Sequence, residues 1–201
     1  MVYTPDKAAL EGKKAEIQNL LSTFAERHPC LVQSDVQNLI GSFVTLTAPL
    51  DSPTLIRFLT IAELGRGGGN SRKPGNITLN WSNVFELVPD ITLAGASTVG
   101  VPWLLPFAAL YIWMKLWKSS EVNLAEEDAF VVYSLWIHRD ERNKIAEDAA
   151  FQKMQVLARQ HGIPPLTKTR FTEIINKLLS LECIEMESGV IWLREWVRIK
   201  Y

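Results

Sequence analysis

Two cysteines, three histidines and no surplus of either charge leave this 201-residue chain few routes to covalent or metal chemistry. Cys30 and Cys183 cannot form a disulfide framework and match no zinc spacing, which predicts a reducing compartment. His28, His138 and His161 lie in unrelated segments, with no Cys, Asp or Glu at ligand spacing. With 21 Lys plus Arg against 22 Asp plus Glu, the formal net charge is −1, so no global field favours nucleic acid or an acidic membrane. The opening Met1-Val-Tyr-Thr-Pro-Asp6 lacks a basic region followed by an apolar run. No cleaved signal peptide is predicted, and the expected location is cytoplasmic.

The familiar catalytic patterns are missing too. Gly-x-Ser-x-Gly does not occur, and His28-Pro29-Cys30 has no third group to orient a thiol–imidazole pair. His138-Arg139-Asp140 matches the kinase catalytic-loop triplet, but Ile145 stands where that loop needs Asn. A protein without enzymatic activity, cofactor or metal is therefore expected.

What is present is apolar sequence with helical spacing. The chain is 47% hydrophobic with seven Trp, enough to bury a substantial core. Thr4-Pro5-Asp6 predicts a helix start, and Leu10, Ile17, Leu20, Leu21 and Phe24 share one face up to His28-Pro29. A second helix is expected from Ser34-Asp35 through Phe43. A third follows the Asp51-Ser52-Pro53 cap to Leu64, and a short one lies around Ser82–Val88.

Between the last two lies the Gly-rich stretch 65–75, with Arg66, Arg72 and Lys73 as anion-binding candidates. Its spacing is wrong for a Walker loop, and it follows a helix rather than a strand, so a solvated connection is the simpler reading. From Ile91 to Met114, 24 residues carry no charge, flanked by Lys115 and Lys118. That length suits a membrane span, but Gly95, Gly100, Pro102 and Pro106 interrupt it. A buried loop followed by a core helix from about Pro106 is the preferred expectation, with membrane contact as the alternative.

The C-terminal part, 123–201, has a clearer plan. Phe130, Val131, Leu135 and Ile137 mark a helix from the Glu126-Glu127-Asp128 cluster to His138. A charged link, Arg139–Lys144, leads to a second helix near Asp148–Gln160, closed by His161-Gly162. Thr167 caps a third, whose stripe is Phe171, Ile174, Ile175, Leu178 and Leu179. Glu182–Met186, a polar turn at Glu187-Ser188-Gly189 and a β-rich run from Val190 to Tyr201 predict a hairpin.

Three helices and a hairpin in this order, "LTKTRFTEIINKLLSLECIEMESGVIWLREWVRIKY" being the last helix and wing, resemble the winged-helix group of helix-turn-helix proteins. In DNA-binding members the third helix enters the major groove. The resemblance thus implies Lys168, Thr169, Arg170, Thr172, Glu173, Asn176 and Lys177 as groove-facing residues, with Glu187-Ser188-Gly189 as the wing tip. The charges depart from a DNA reader. Glu121–Tyr201 holds 11 Lys plus Arg against 13 Asp plus Glu, a net −2, and the wing tip is acidic. One pattern argues the other way: in a single extended strand Trp192, Arg194, Trp196, Arg198 and Lys200 would share a face able to stack bases and hold phosphates. The alternative is that both tryptophans bury against the N-terminal part while the arginines pair with acids. Glu195 predicts a bulge or break in that strand.

The expected architecture is mostly α with a small β-hairpin: a helical part over 1–118 and a winged-helix-like domain over 123–201. The expected function is that of a non-enzymatic adaptor binding a protein partner or a second copy of itself. A DNA-binding transcription regulator and a membrane-associated effector or sensor are the alternatives.

Overall fold

The computed structural model of the chain describes residues 4–28, 33–51, 75–86, 102–118 and 122–201. The helix expected after Asp51, the Gly-rich stretch with Arg66, Arg72 and Lys73, and the first part of the uncharged segment lie outside them. The described residues are mostly helical, with short antiparallel strands.

Helix α1, Lys7–Arg27, is capped by Asp6 rather than Thr4: the Asp6 carboxylate accepts the Ala9 N–H at 3.0 Å. Thr4 and Pro5 instead form a two-residue strand, β1, because the backbone there pairs with β3 at Leu50–Asp51. Ile17, Leu21 and Phe24 are the buried stripe of α1, at the i, i+4, i+7 spacing of a helix face. Helix α2, Gln33–Phe43, buries Leu39 and Phe43 and runs directly into strand β2, Val44–Thr47.

Two strands here were not evident from the sequence. β2 pairs antiparallel with β4, Asn76–Asn80, and β4 pairs with the last strand, β8, Trp196–Lys200. Alternation sends Val44, Ile77, Leu79 and Val197 into the core, with Leu46 and Ile199 packed beside them. Gly75 precedes β4 where only hydrogen fits: a Cβ there would lie 2.6 Å from the Tyr201 ring and 2.8 Å from the Thr47 carbonyl oxygen. Gly75 and Tyr201 exchange both backbone hydrogen bonds at 3.1 Å.

A helical turn over 81–86 follows, with Asn80 accepting the Ser82 N–H. Helix α3, Leu104–Trp113, is the buried axis of the fold and continues as a π turn over Met114–Lys118. It begins two residues before Pro106 because a proline in the first turn lacks only an N–H that has no acceptor anyway. Trp103 and Trp113 are buried and Trp117 half-buried; Trp113 Nε1–H donates to the Leu181 carbonyl at 2.9 Å. Among the described residues no helix is long and apolar enough to cross a membrane.

Helix α4, Glu126–His138, packs along α3. Another unexpected strand, β5, Lys144–Ala146, begins at the end of the stretch read as a charged link and is followed at once by α5, Glu147–Gln160. Asp140 makes the turn into β5: its Oδ1 accepts the N–H groups of Arg142 and Lys144 at 2.9 and 2.8 Å. Gly162, at φ 68°, ends α5, and the Ile163 N–H returns to the Ala158 carbonyl. Helix α6, Lys168–Ser180, leads to β6, Ile184–Glu187, and β7, Val190–Leu193.

β5, β7 and β6 form one sheet in that order. The run from Val190 to Tyr201 is not one strand: it breaks at Arg194-Glu195, where the Trp81 N–H takes the Glu195 carbonyl, and β8 crosses to β4. One hydrophobic cluster extends from Ile17 to Val197.

Candidate interaction surface

The outward side of α6 is the first surface the sequence singles out. Thr167 caps the helix, accepting the Arg170 N–H at 3.1 Å, and Phe171, Ile174, Ile175 and Leu178 turn inward. Thr169, Thr172 and Asn176 are exposed, with the Thr172 hydroxyl donating back to the Lys168 carbonyl.

The cations do not stand free. Lys168 sits 3.1 Å from Asp148 and 3.5 Å from Glu147. Arg170 bonds Glu127 at 2.8 Å and Glu173 at 3.0 Å. Lys177 turns inward, 2.7 Å from the fully buried Asp128 carboxylate and 2.9 Å from the Asn123 carbonyl. Desolvation pulls the Lys168 ammonium down, but Asp148 and Glu147 outweigh it and leave its pKa above the ordinary value. The hydrogen bonds that Arg170 donates to Glu127 and then to Glu173 raise its own pKa.

The hairpin is the second surface. Ser188 (φ 50°) and Gly189 (φ 75°) make a tight turn of the kind that matches strand twist, flanked by exposed Glu187. On its outward face Lys144, Trp192 and Glu185 lie in one row across β5, β7 and β6, with the Lys144 ammonium 3.8 Å from the Trp192 ring. Arg194 is held by Glu185 at 2.6 Å. Trp192 is therefore exposed within a compensated, mixed-charge row.

The third surface is the outward face of β2–β4–β8. The register places Thr45, Thr78 and Arg198 in one row, Thr47, Asn76 and Lys200 in the next, and Asn80 beside Trp196. Trp196 is 53% exposed, more than any other large hydrophobic described. Arg198 and Lys200 have no ion pair among the described residues. The break at Arg194-Glu195 thus splits the expected face: Trp192 and Arg194 stay with the hairpin sheet, while Trp196, Arg198 and Lys200 join the other. Neither tryptophan is buried, and of the two arginines only Arg194 is paired with acids.

Reactive groups are scattered. Cys183 is buried, donates to the Leu178 carbonyl, and has its pKa pushed up to about 12 by desolvation. The His138 ring donates to the Ser134 carbonyl at the end of α4, and His28 stacks on Phe24. Among the described residues no group of three or more His, Cys, Asp or Glu could hold a metal ion. Arg139 lies 3.6 Å above the Trp136 ring, where burial lowers its pKa despite nearby Glu195. Scans against protein-family models, curated proteins and solved structures find no match.

Proposed function

We propose that this chain is a non-enzymatic interaction protein whose 126–193 unit is a winged helix turned to binding protein rather than duplex DNA. What supports the winged-helix reading is the order helix, strand, helix, helix, strand, strand, with the first strand pairing the last in a β5–β7–β6 sheet. The observation that carries the choice of partner is that every cation on the third helix already has a carboxylate from within the chain. A DNA phosphate would have to displace those acids and approach an acidic wing tip. A protein partner has no such barrier, and Thr169, Thr172 and Asn176 are open to it.

Fluorescence anisotropy with duplex DNA at about 50 mM salt, where phosphate contacts are strongest, tests one half. No specific binding is expected. The other half is tested by placing p-benzoylphenylalanine at Thr172 or Asn176 and irradiating cells: a discrete protein adduct is expected, a second copy of the chain included. Duplex binding that weakens in Arg170→Ala, or a monomer giving no adduct from either position, overturns the proposal.

A further inference from the structure

We infer that the outward face of the β2–β4–β8 sheet binds single-stranded nucleic acid, a role separate from the partner surface on α6. Eight side chains make up this face: Thr45, Thr47, Asn76, Thr78, Asn80, Trp196, Arg198 and Lys200. None is acidic, on a chain where acids slightly outnumber bases. The acid nearest in sequence, Glu195, is turned away to accept the Ser82 hydroxyl at 2.7 Å. Arg198 and Lys200 differ from Lys168, Arg170, Lys177 and Arg194 in having no carboxylate among the described residues. Positive charge on this face is thus left for an external anion, as it is at Lys115, Arg142, Lys153 and Arg159 elsewhere; here two such cations share a strand with an exposed tryptophan.

The surroundings of Trp196 decide the class of anion. A tryptophan anchoring a protein interface normally sits among other apolar side chains that exclude water. Here the residue across the ladder is Asn80, and the next positions on the same face are Thr78 and Arg198. An exposed π surface whose neighbours on this face are an amide, a hydroxyl and a guanidinium matches a nucleobase, which offers a flat ring and a polar edge, better than an apolar protein anchor. Residues 196, 198 and 200 alternate along one strand, roughly 7 Å apart. A flexible single strand can lay a base on the indole and its phosphates over the two cations. A stiff duplex buries its bases and cannot.

The test is binding of the full chain to short fluorescein-labelled oligo(U) and oligo(dT), with hairpin duplex DNA and polyglutamate as competitors. Two phosphate contacts predict that log K falls with log salt at a slope of about −1.4, and Arg198→Gln should halve that slope. Trp196→Ala should weaken binding roughly 5- to 150-fold without changing the slope, as loss of one stacked base does. Both side chains are exposed, so circular dichroism should be unchanged in both variants. A higher affinity for oligo(U) than for oligo(dT) would assign the Thr and Asn groups to the ribose hydroxyl, and equal affinities to bases and phosphates alone. Polyglutamate competing as well as the oligonucleotides, with Trp196→Ala neutral, would overturn the inference in favour of an acidic protein segment. Absence of binding at about 50 mM salt would overturn it outright.

Discussion

Replacing Lys177 tests whether α6 is a reader of nucleic acid or a helix locked to its neighbours. Asp128 is fully buried, and its carboxylate accepts the Ala125 N–H at 2.7 Å and the Lys177 ammonium at 2.7 and 2.9 Å. Lys177→Met keeps the apolar stem but removes the counter-charge, leaving a buried carboxylate with one donor. Breaking a buried pair from one side costs about 3–5 kcal/mol. The Lys177 side chain is 21% exposed, so water reaches the site and the lower end, about 3 kcal/mol, is expected. Asp128→Asn should cost less, about 1–2 kcal/mol, because its carbonyl oxygen still accepts the Ala125 N–H and Lys177 can turn outward. With both charges gone, the double variant should be more stable than the sum of the single changes implies, by about 1.5 kcal/mol or more. Urea unfolding followed by tryptophan fluorescence and far-ultraviolet circular dichroism reads all four corners of the cycle. A Lys177→Met cost under about 1 kcal/mol, with additive corners, would refute the reasoning and return Lys177 to the pool of available cations.

Gly75→Ala should lose about 1–3 kcal/mol in the same assay, because its Cβ would overlap Tyr201 and the Thr47 oxygen. Adding Tyr201→Ala should recover only part of that, since the Thr47 carbonyl is backbone; full recovery would show that the ring alone sets the limit. Cys183, with its pKa at about 12, is roughly 10⁻⁴ thiolate near pH 8. In a Cys30→Ser background, thiol reagents should therefore label Cys183 only at the rate of unfolding, and fast labelling of the native protein would contradict its burial. The Asp140 carboxyl is held below the ordinary Asp value chiefly by the Lys144 N–H. Because the native value is depressed, its support of the turn is complete above the ordinary pKa and is lost as pH falls through the native one. Protection factors of the Arg142 and Lys144 amides, measured against their intrinsic exchange at each pH, should fall over that acid window, and Asp140→Asn should flatten the response.

Long periodic segments were the legible part of this fold. The stripes of α1 and α6, the Thr167 cap and the Gly162 stop follow from residue spacing alone, as does the Ser188-Gly189 turn. The strands were harder, for a physical reason. Val44-Thr-Leu-Thr47 and Asn76-Ile-Thr-Leu-Asn80 do alternate, but each is short and acquires meaning only from a partner far away in sequence. β5 is three residues in a charged stretch, and its one buried side chain, Ile145, sits opposite Ile191. On the candidate surfaces, the Arg170–Glu173 pair is visible as an i, i+3 contact, whereas Glu127 and Asp128 approach α6 only because α4 packs against it. The break at Glu195 was readable; the destination of β8 was not.

The contrast between the two charged surfaces has a common origin in how helices begin. Acids are stabilised in the first turn of a helix, where unbonded amides carry partial positive charge. Glu126, Glu127 and Asp128 occupy that turn in α4, and Glu147 and Asp148 occupy it in α5. α6 carries Lys168, Arg170 and Lys177 within reach of these two acidic starts, so the groups that stabilise α4 and α5 also neutralise α6. The sheet face bearing Arg198 and Lys200 has no acid among its own side chains or across its ladder, and neither cation has an ion pair among the described residues. The opposite charge states of the two faces therefore follow from where helix starts fall in the fold, and the number of Lys and Arg on each face does not predict them.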